Sequence, residues 1–151
     1  MNDFKPFEDK LAGLIAALSP AGRRRMTGDI AKKLRQRQQQ RIKSQKAPDG
    51  SPFTPRKRQP VRAKKGRIKR EMFAKLRTNR YMKASGGDSA AVVEFTGKVQ
   101  RIARIHQLGL KDKSKYQRVA VKYPERILVG LSDDDKRYVE QCFLISFEMV
   151  R

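Results

Sequence analysis

Any catalysis in this chain would have to start from one imidazole. His106 is the only histidine and Cys142 the only cysteine. The acids cluster only at Asp133, Asp134 and Asp135. An activated nucleophile, or a two-metal site for nuclease work, needs acids or serines converging with a base at one place. His106 lies in Arg104-Ile105-His106-Gln107-Leu108-Gly109, which offers none. The three aspartates follow Ser132, so they read as the first turn of a helix, where carboxylates complement the helix dipole. Gly86-Gly87 lacks the third glycine and the Lys-Ser/Thr pair of a phosphate-cradling loop. One cysteine and one histidine make no zinc set of the usual kind and no internal disulfide. The expectation is a protein that is not an enzyme and that uses no cofactor and no metal.

Binding is the chemistry the residues favour. The chain carries 37 Lys and Arg against 15 Asp and Glu, a formal net charge of +22 in 151 residues. Twenty-two of those cations lie between Pro20 and Arg80, facing only Asp29, Asp49 and Glu71. A field of this size opposes folding through self-repulsion, so a polyanion, an acidic protein surface or counterions must offset it. The candidate contacts are Arg23, Arg24 and Arg25, the triplet Arg56, Lys57 and Arg58, and the run Lys64, Lys65, Arg67, Lys69 and Arg70. These could neutralise phosphates, with binding that weakens steeply as salt rises. Base-specific reading usually adds stacking aromatics or a recognisable module, and this block holds only Phe53 and Phe73. A nucleic-acid-binding accessory protein stays open as an alternative. A charge run that is simply a solvated face stays open too.

These cations must be positioned by a fold, and the length allows one modest domain over residues 1–151. Phe4, Phe7, Leu11, Leu14, Ile15 and Leu18 form the stripe of a first amphipathic helix. Ser19-Pro20 stops it and starts a second, running to about Lys46 with Met26, Ile30, Leu34 and Ile42 on one line. Pro48, Pro52, Pro55 and Pro60 forbid a continuous helix or central strand over 47–66. That span, with Arg56, Lys57, Arg58, Arg62, Lys64 and Lys65, is expected to be an extended, mobile basic loop. Ile68, Met72, Phe73 and Leu76 suggest a helical turn or two. Alternation from Leu76 to Ala84 and from Ala91 to Thr96, around Gly86-Gly87-Asp88, predicts a β-hairpin. Val99, Ile102, Ala103 and His106 return to helical spacing over about 98–107, which places His106 in packing on the Val99–Ile102 face. A strand broken by Pro124 is expected over 117–130. Ser132 opens a last helix whose apolar side is Tyr138, Val139, Cys142, Phe143, Ile145 and Phe147, with Cys142 as a buried small hydrophobe. The fold class is α+β: two N-terminal helices, a small mainly antiparallel sheet with a hairpin, and a C-terminal helix packed on it. No apolar run approaches the roughly 18 residues of a membrane span. No basic start is followed by an apolar core, so no secretory signal or membrane association is expected, and the setting is a cytoplasm or a particle assembled there.

Several segments, taken in order, are similar to the phage virion morphogenesis family, whose members include tail completion proteins of contractile-tailed temperate phages. They are Leu14-Ile15-Ala16-Ala17-Leu18-Ser19-Pro20, Gln38-Gln39-Gln40-Arg41-Ile42, Pro48-Asp49-Gly50-Ser51-Pro52-Phe53, Met72-Phe73-Ala74-Lys75-Leu76-Arg77, Phe95-Thr96-Gly97, Ile102 to Gly109, and Leu131-Ser132-Asp133. Leu108 stands where that family typically has an aromatic. No one segment is a chemical signature; order and spacing carry the likeness, from about Phe4 to Phe147. The resemblance implies a structural protein of the virion, assembled in the host cytoplasm, that completes the tail at its head-proximal end and supports head–tail joining as a ring. Its partners would be tail tube or terminator proteins and head–tail connector proteins, with non-specific contact to packaged DNA through a basic lumen or loop. Arg104, His106, Gln107 and Gly109 would then be structural motif residues.

Overall fold

Met26, Ile30, Leu34 and Ile42 share one side of a single helix, α1 (Pro20–Lys43), and none is more than 8% exposed. Ser19 starts it: its Oγ accepts the Gly22 N–H at 3.2 Å and its carbonyl the Arg23 N–H at 2.8 Å, while Pro20 takes the first position, where no donor is needed. The computed structural model describes residues 5–6, 8–9, 19–56, 71–113 and 118–149, with side chains through residue 142 of the last helix. The first helix expected over 4–18 therefore falls almost wholly outside the described residues, of which 5–6 and 8–9 are helical.

After α1 come a hairpin of β1 (Met82–Gly86) and β2 (Ala91–Phe95), α2 (Gly97–Leu108), the two-residue strands β3 (Lys111–Asp112) and β4 (Val121–Lys122), and α3 (Asp133–Met149). β1 pairs with β2, and β3 pairs antiparallel with β4, Lys111 opposite Lys122 and Asp112 opposite Val121. The chain is thus α+β, and its described residues form two compact units.

The first unit takes Met1–Arg37, Met82–Glu94 and Leu131–Arg151. Its core is Met26, Ile30 and Leu34 of α1 with Val139 of α3, and Ala91, Val93, Leu131, Tyr138 and Cys142 pack around it. Cys142 is half-buried, not fully buried as the pattern suggested, because it lies at the edge of this cluster. The hairpin approaches α1 very closely at Gly86, where an added Cβ would lie 2.1 Å from the Gly28 nitrogen. There Thr27, 2% exposed, places its Oγ1 2.8 Å from the Gly87 carbonyl. α3 starts with a capping box: Ser132 Oγ accepts the Asp135 N–H at 3.0 Å and Asp135 Oδ2 accepts the Ser132 N–H at 3.1 Å. The acid run is thus a helix start, with Asp135 buried and Asp133 and Asp134 exposed.

The second unit takes Gln38–Tyr81 and Phe95–Gly130, with Ile42, Ala47, Phe53, Met72, Phe95, Ala103, Ile105 and Leu128 buried. Three expectations are corrected here. The alternation at Leu76–Tyr81 is not a strand: Arg77 N–H bonds to Phe73 O, Thr78 N–H to Lys75 O and Tyr81 N–H to Thr78 O, a run of turns, so strand pairing begins only at Met82. The strand expected over 117–130 shrinks to Val121–Lys122. The loop expected to be mobile from 47 is folded at its start: Ala47 N–H bonds to Ser51 O, Asp49 accepts from the Ser51 N–H and hydroxyl, and Phe53 is only 5% exposed. Positions 57–66 lie outside the described residues. On α2 Ala103 and Ile105 are buried and Val99 and His106 half-buried, so of the residues named from spacing Ile102 alone, 46% exposed, departs from the expected packing.

Candidate interaction site

The basic residues named from sequence sit in varied surroundings. Arg23 is half-buried, Arg24 is exposed and pairs with Asp88 at 2.8 Å, and Arg25 is exposed. Arg24 is therefore partly used inside the first unit. Arg25, Lys32, Lys33 and Lys43 share the exposed side of α1, interrupted by one acid, Asp29. Lys32, Lys33 and Lys43 were missed as candidates, although three- and four-residue spacing from Asp29 would have grouped the first two with Arg25. Arg37 is a structural cation, 3.4 Å from Asp135 and with its guanidinium 4.7 Å from the Tyr138 ring centroid. Arg56 is exposed in the second unit. Lys57, Arg58, Lys64, Lys65, Arg67, Lys69 and Arg70 lie outside the described residues.

The motif residues converge on one extended segment, Leu128–Gly130. Gln107 Oε1 accepts the N–H groups of Leu128 (2.7 Å) and Val129 (3.1 Å), and its Nε2 donates to the Val129 carbonyl (2.9 Å). Gln38 repeats the pattern on the next residue: Nε2 donates to the Gly130 carbonyl at 2.8 Å and Oε1 accepts its N–H at 3.3 Å. Arg41, which also bonds Gln38, donates to the Leu128 carbonyl at 3.3 Å. All six backbone polar groups of the segment are met by side chains, as buried groups must be. Period-based reading cannot see such a strand, because nothing pairs with it as a strand would. Gly109 ends α2 in the left-handed region (φ 63°), and Leu110 N–H closes the turn on Ile105 O. An added Cβ there would sit 3.0 Å from the Glu125 nitrogen, so both backbone shape and space favour glycine. Arg104 is exposed.

His106 belongs to a ladder of rings. Phe53 meets Phe73 edge-to-face at 5.7 Å, Phe73 meets His106 at 4.9 Å and His106 meets Tyr123 at 5.1 Å. The Arg126 guanidinium, in a residue 5% exposed, donates to the carbonyls of Thr54 (2.7 Å) and Pro55 (3.3 Å) and lies 3.5 Å from His106 Nδ1. Burial, then Arg126 and Arg56, hold the imidazole below its ordinary value of 6.5, so it is neutral near pH 7. The lone histidine is thus a packed ring beside the cations Arg126 and Arg56. Among the described residues no group of three His, Cys, Asp or Glu is placed to hold a metal. No described helix is long and apolar enough to cross a membrane.

Beside the ladder lies an open groove of about 290 Å³, with Met72, Phe73, Leu76 and Ile102 among its walls and Arg56, Lys75 and Arg126 as its cations. Its backbone is held in an unusual way. α1 ends in a Schellman turn, Lys46 N–H to Arg41 O and Gln45 N–H to Ile42 O, with Gln45 at φ 59° where glycine is normally found. The Gln45 amide then grips Met72 at both ends, donating to its carbonyl at 3.0 Å and accepting its N–H at 2.9 Å. Phe73, next along, is also left-handed at φ 66°. A non-glycine residue there costs about 1–3 kcal/mol, and such strain collects at functional positions.

Among the described residues His106 is packed between rings, Asp135 caps α3, and Gln38, Arg41 and Gln107 hold the Leu128–Gly130 backbone. The phage virion morphogenesis family matches residues 2–147, and the chain belongs to that family. Among its relatives is tail completion protein S of Escherichia phage P2, 47% identical over 149 residues, which cover 98% of this chain and 99% of the relative. No solved structure gives a significant match.

Proposed function

We propose that this chain is a structural morphogenesis protein that completes a phage tail at its head-proximal end and supports joining of the tail to the filled head, without catalysis. The observation that carries the reading is 47% identity to a tail completion protein along nearly the whole of both chains. In this reading the chain acts as one tail-completion domain, is assembled in the host cytoplasm, resides in the virion tail and works as a ring of copies. Its neighbours are tail tube or terminator proteins and connector proteins. The net charge of +22 suits a ring that DNA passes through, or an acidic docking surface, since neither needs base contacts. The candidate contacts Arg23, Arg25, Arg56, Lys57, Arg58, Lys64, Lys65, Arg67, Lys69 and Arg70 serve that purpose, and Arg104, His106, Gln107 and Gly109 serve the fold.

The test is growth of a phage from which this chain has been deleted. Micrographs are expected to show full heads and separate tails, and wild-type particles to contain the protein in a small fixed copy number. Normal joined particles from the deletion would overturn the reading. The exposed cations of α1 favour one other reading, a nucleic-acid-binding accessory protein. Absence from purified particles together with tight, sequence-selective binding to DNA or RNA would favour it.

A further inference from the structure

We infer that the groove between Met72–Leu76 and Ile102 seats an apolar side chain from an acidic segment of a partner protein, whose neighbouring carboxylates meet Arg56 and Lys75. That this partner is a virion protein rests on the function proposed above; the groove and its chemistry do not. Three observations point the same way. Ile102 is 46% exposed on a helix whose Ala103 and Ile105 are buried, and it continues the apolar wall made by Phe73 and Leu76. A scattered exposed aliphatic needs no explanation, but one that extends a concave apolar surface does. The wall is also built in advance: both non-glycine residues with left-handed backbone among the described residues, Gln45 and Phe73, bracket the Met72–Phe73 peptide that forms it. Such a preformed slot lowers the ordering cost of docking.

Charge chooses the occupant. Arg56 and Lys75 are exposed beside the groove and Arg126 also lines it; its acid, Glu71, lies 3.1 Å from Arg77. A second copy of a +22 chain is a poor occupant, because its own cations oppose the approach. A phosphate backbone would satisfy the cations but gains nothing from aliphatic walls. A segment with Leu, Ile, Met or Phe next to Asp or Glu satisfies both, an apolar anchor with a charged rim.

The experiment uses the full chain supplied to a phage lacking its own copy, with Ile102 replaced by the photo-crosslinking residue benzoylphenylalanine. Crosslinked peptides from purified particles are read by mass spectrometry. The expected product joins position 102 to a virion-protein segment with Asp or Glu within two residues of an apolar one, and the same replacement at Arg25 does not give it. A crosslink to DNA, to another copy, to a segment without acids, or none at all, overturns the inference. In parallel, Ile102→Asp and Lys75→Glu, both at exposed positions and checked for unchanged melting, should each lower the yield of joined particles by about tenfold or more, and Ile102→Leu should not. Full yield from both charge variants overturns it as well. If those variants are silent while deletion still leaves heads and tails apart, the groove fails and the proposed function stands. If deletion is harmless but the acidic crosslink is found, the reverse holds.

Discussion

Replacing Gln107 with alanine tests the most specific structural claim, that side chains do the work of a missing β partner. The change removes the acceptor for the Leu128 and Val129 N–H groups and the donor to the Val129 carbonyl. Leu128 is 0% exposed, so water cannot replace its lost partner, and that N–H alone should cost about 1–3 kcal/mol. Val129 is half-buried, so water can partly satisfy its two groups, at about 0.5–1 kcal/mol each. The expected total is roughly 2–5 kcal/mol, a large part of the roughly 5–15 kcal/mol that holds a typical domain together. The assay is urea unfolding, with the midpoint shifting and the slope unchanged. Gln38→Ala should behave similarly, and because both residues serve adjacent peptides the double variant should fall short of additivity by about 0.5 kcal/mol or more. A loss below about 1 kcal/mol for Gln107→Ala would refute the clamp, since it would mean the segment finds other partners.

Gly86→Ala should lower stability by about 2–4 kcal/mol, because the new Cβ would meet helix backbone at Gly28 and Thr27, which cannot yield as a side chain can; a melting curve reads it. Gln45→Ala keeps the left-handed strain and loses the grip on Met72, whereas Gln45→Gly loses the grip but relieves the strain, so glycine should be the milder change by about 1 kcal/mol in the same denaturation assay. Below pH 6.5 the unfolded chain gains a proton at His106 that the folded chain resists, so this contribution is fully present above 6.5 and is lost as pH falls toward the folded value. His106→Phe, which keeps a ring against Phe73 and Tyr123 beside Arg126 and Arg56, should flatten stability measured between pH 5 and 7.5. Raising salt should promote self-association of the free protein, followed by light scattering, while weakening its attachment to tails, since screening acts on like and unlike charges alike.

What could be read from sequence followed the physics of period. Met26, Ile30, Leu34 and Ile42 kept to one helix face, and their burial follows their spacing. Gly86-Gly87-Asp88 marked the hairpin because turn-forming residues stand between two alternating runs, while the alternation at Leu76–Tyr81 misled, since Arg77, Thr78 and Asn79 offer no apolar face to bury. The groove was invisible: Gln45 and Phe73 adopt a backbone shape their types do not announce, and Ile102 looks like core at helical spacing. The clamp was half legible. Gln38, Arg41 and Gln107 stood out as motif residues, but their common target lies up to 92 positions away, and nothing local says that a glutamine will act as a strand.

That separation also orders events during synthesis. Gln38 and Arg41 are made early and Gln107 much later, yet none of the three can complete its bonds until Leu128–Gly130 has been made. Local helices form within microseconds, whereas translation adds about 5–20 residues per second, so for seconds α1 carries polar groups with nothing to hold. The second unit cannot close from its beginning. Its last tie waits for the arrival of three late residues, and a nascent chain stopped short of them should remain a target for proteases and chaperones, whatever the merits of its early helix.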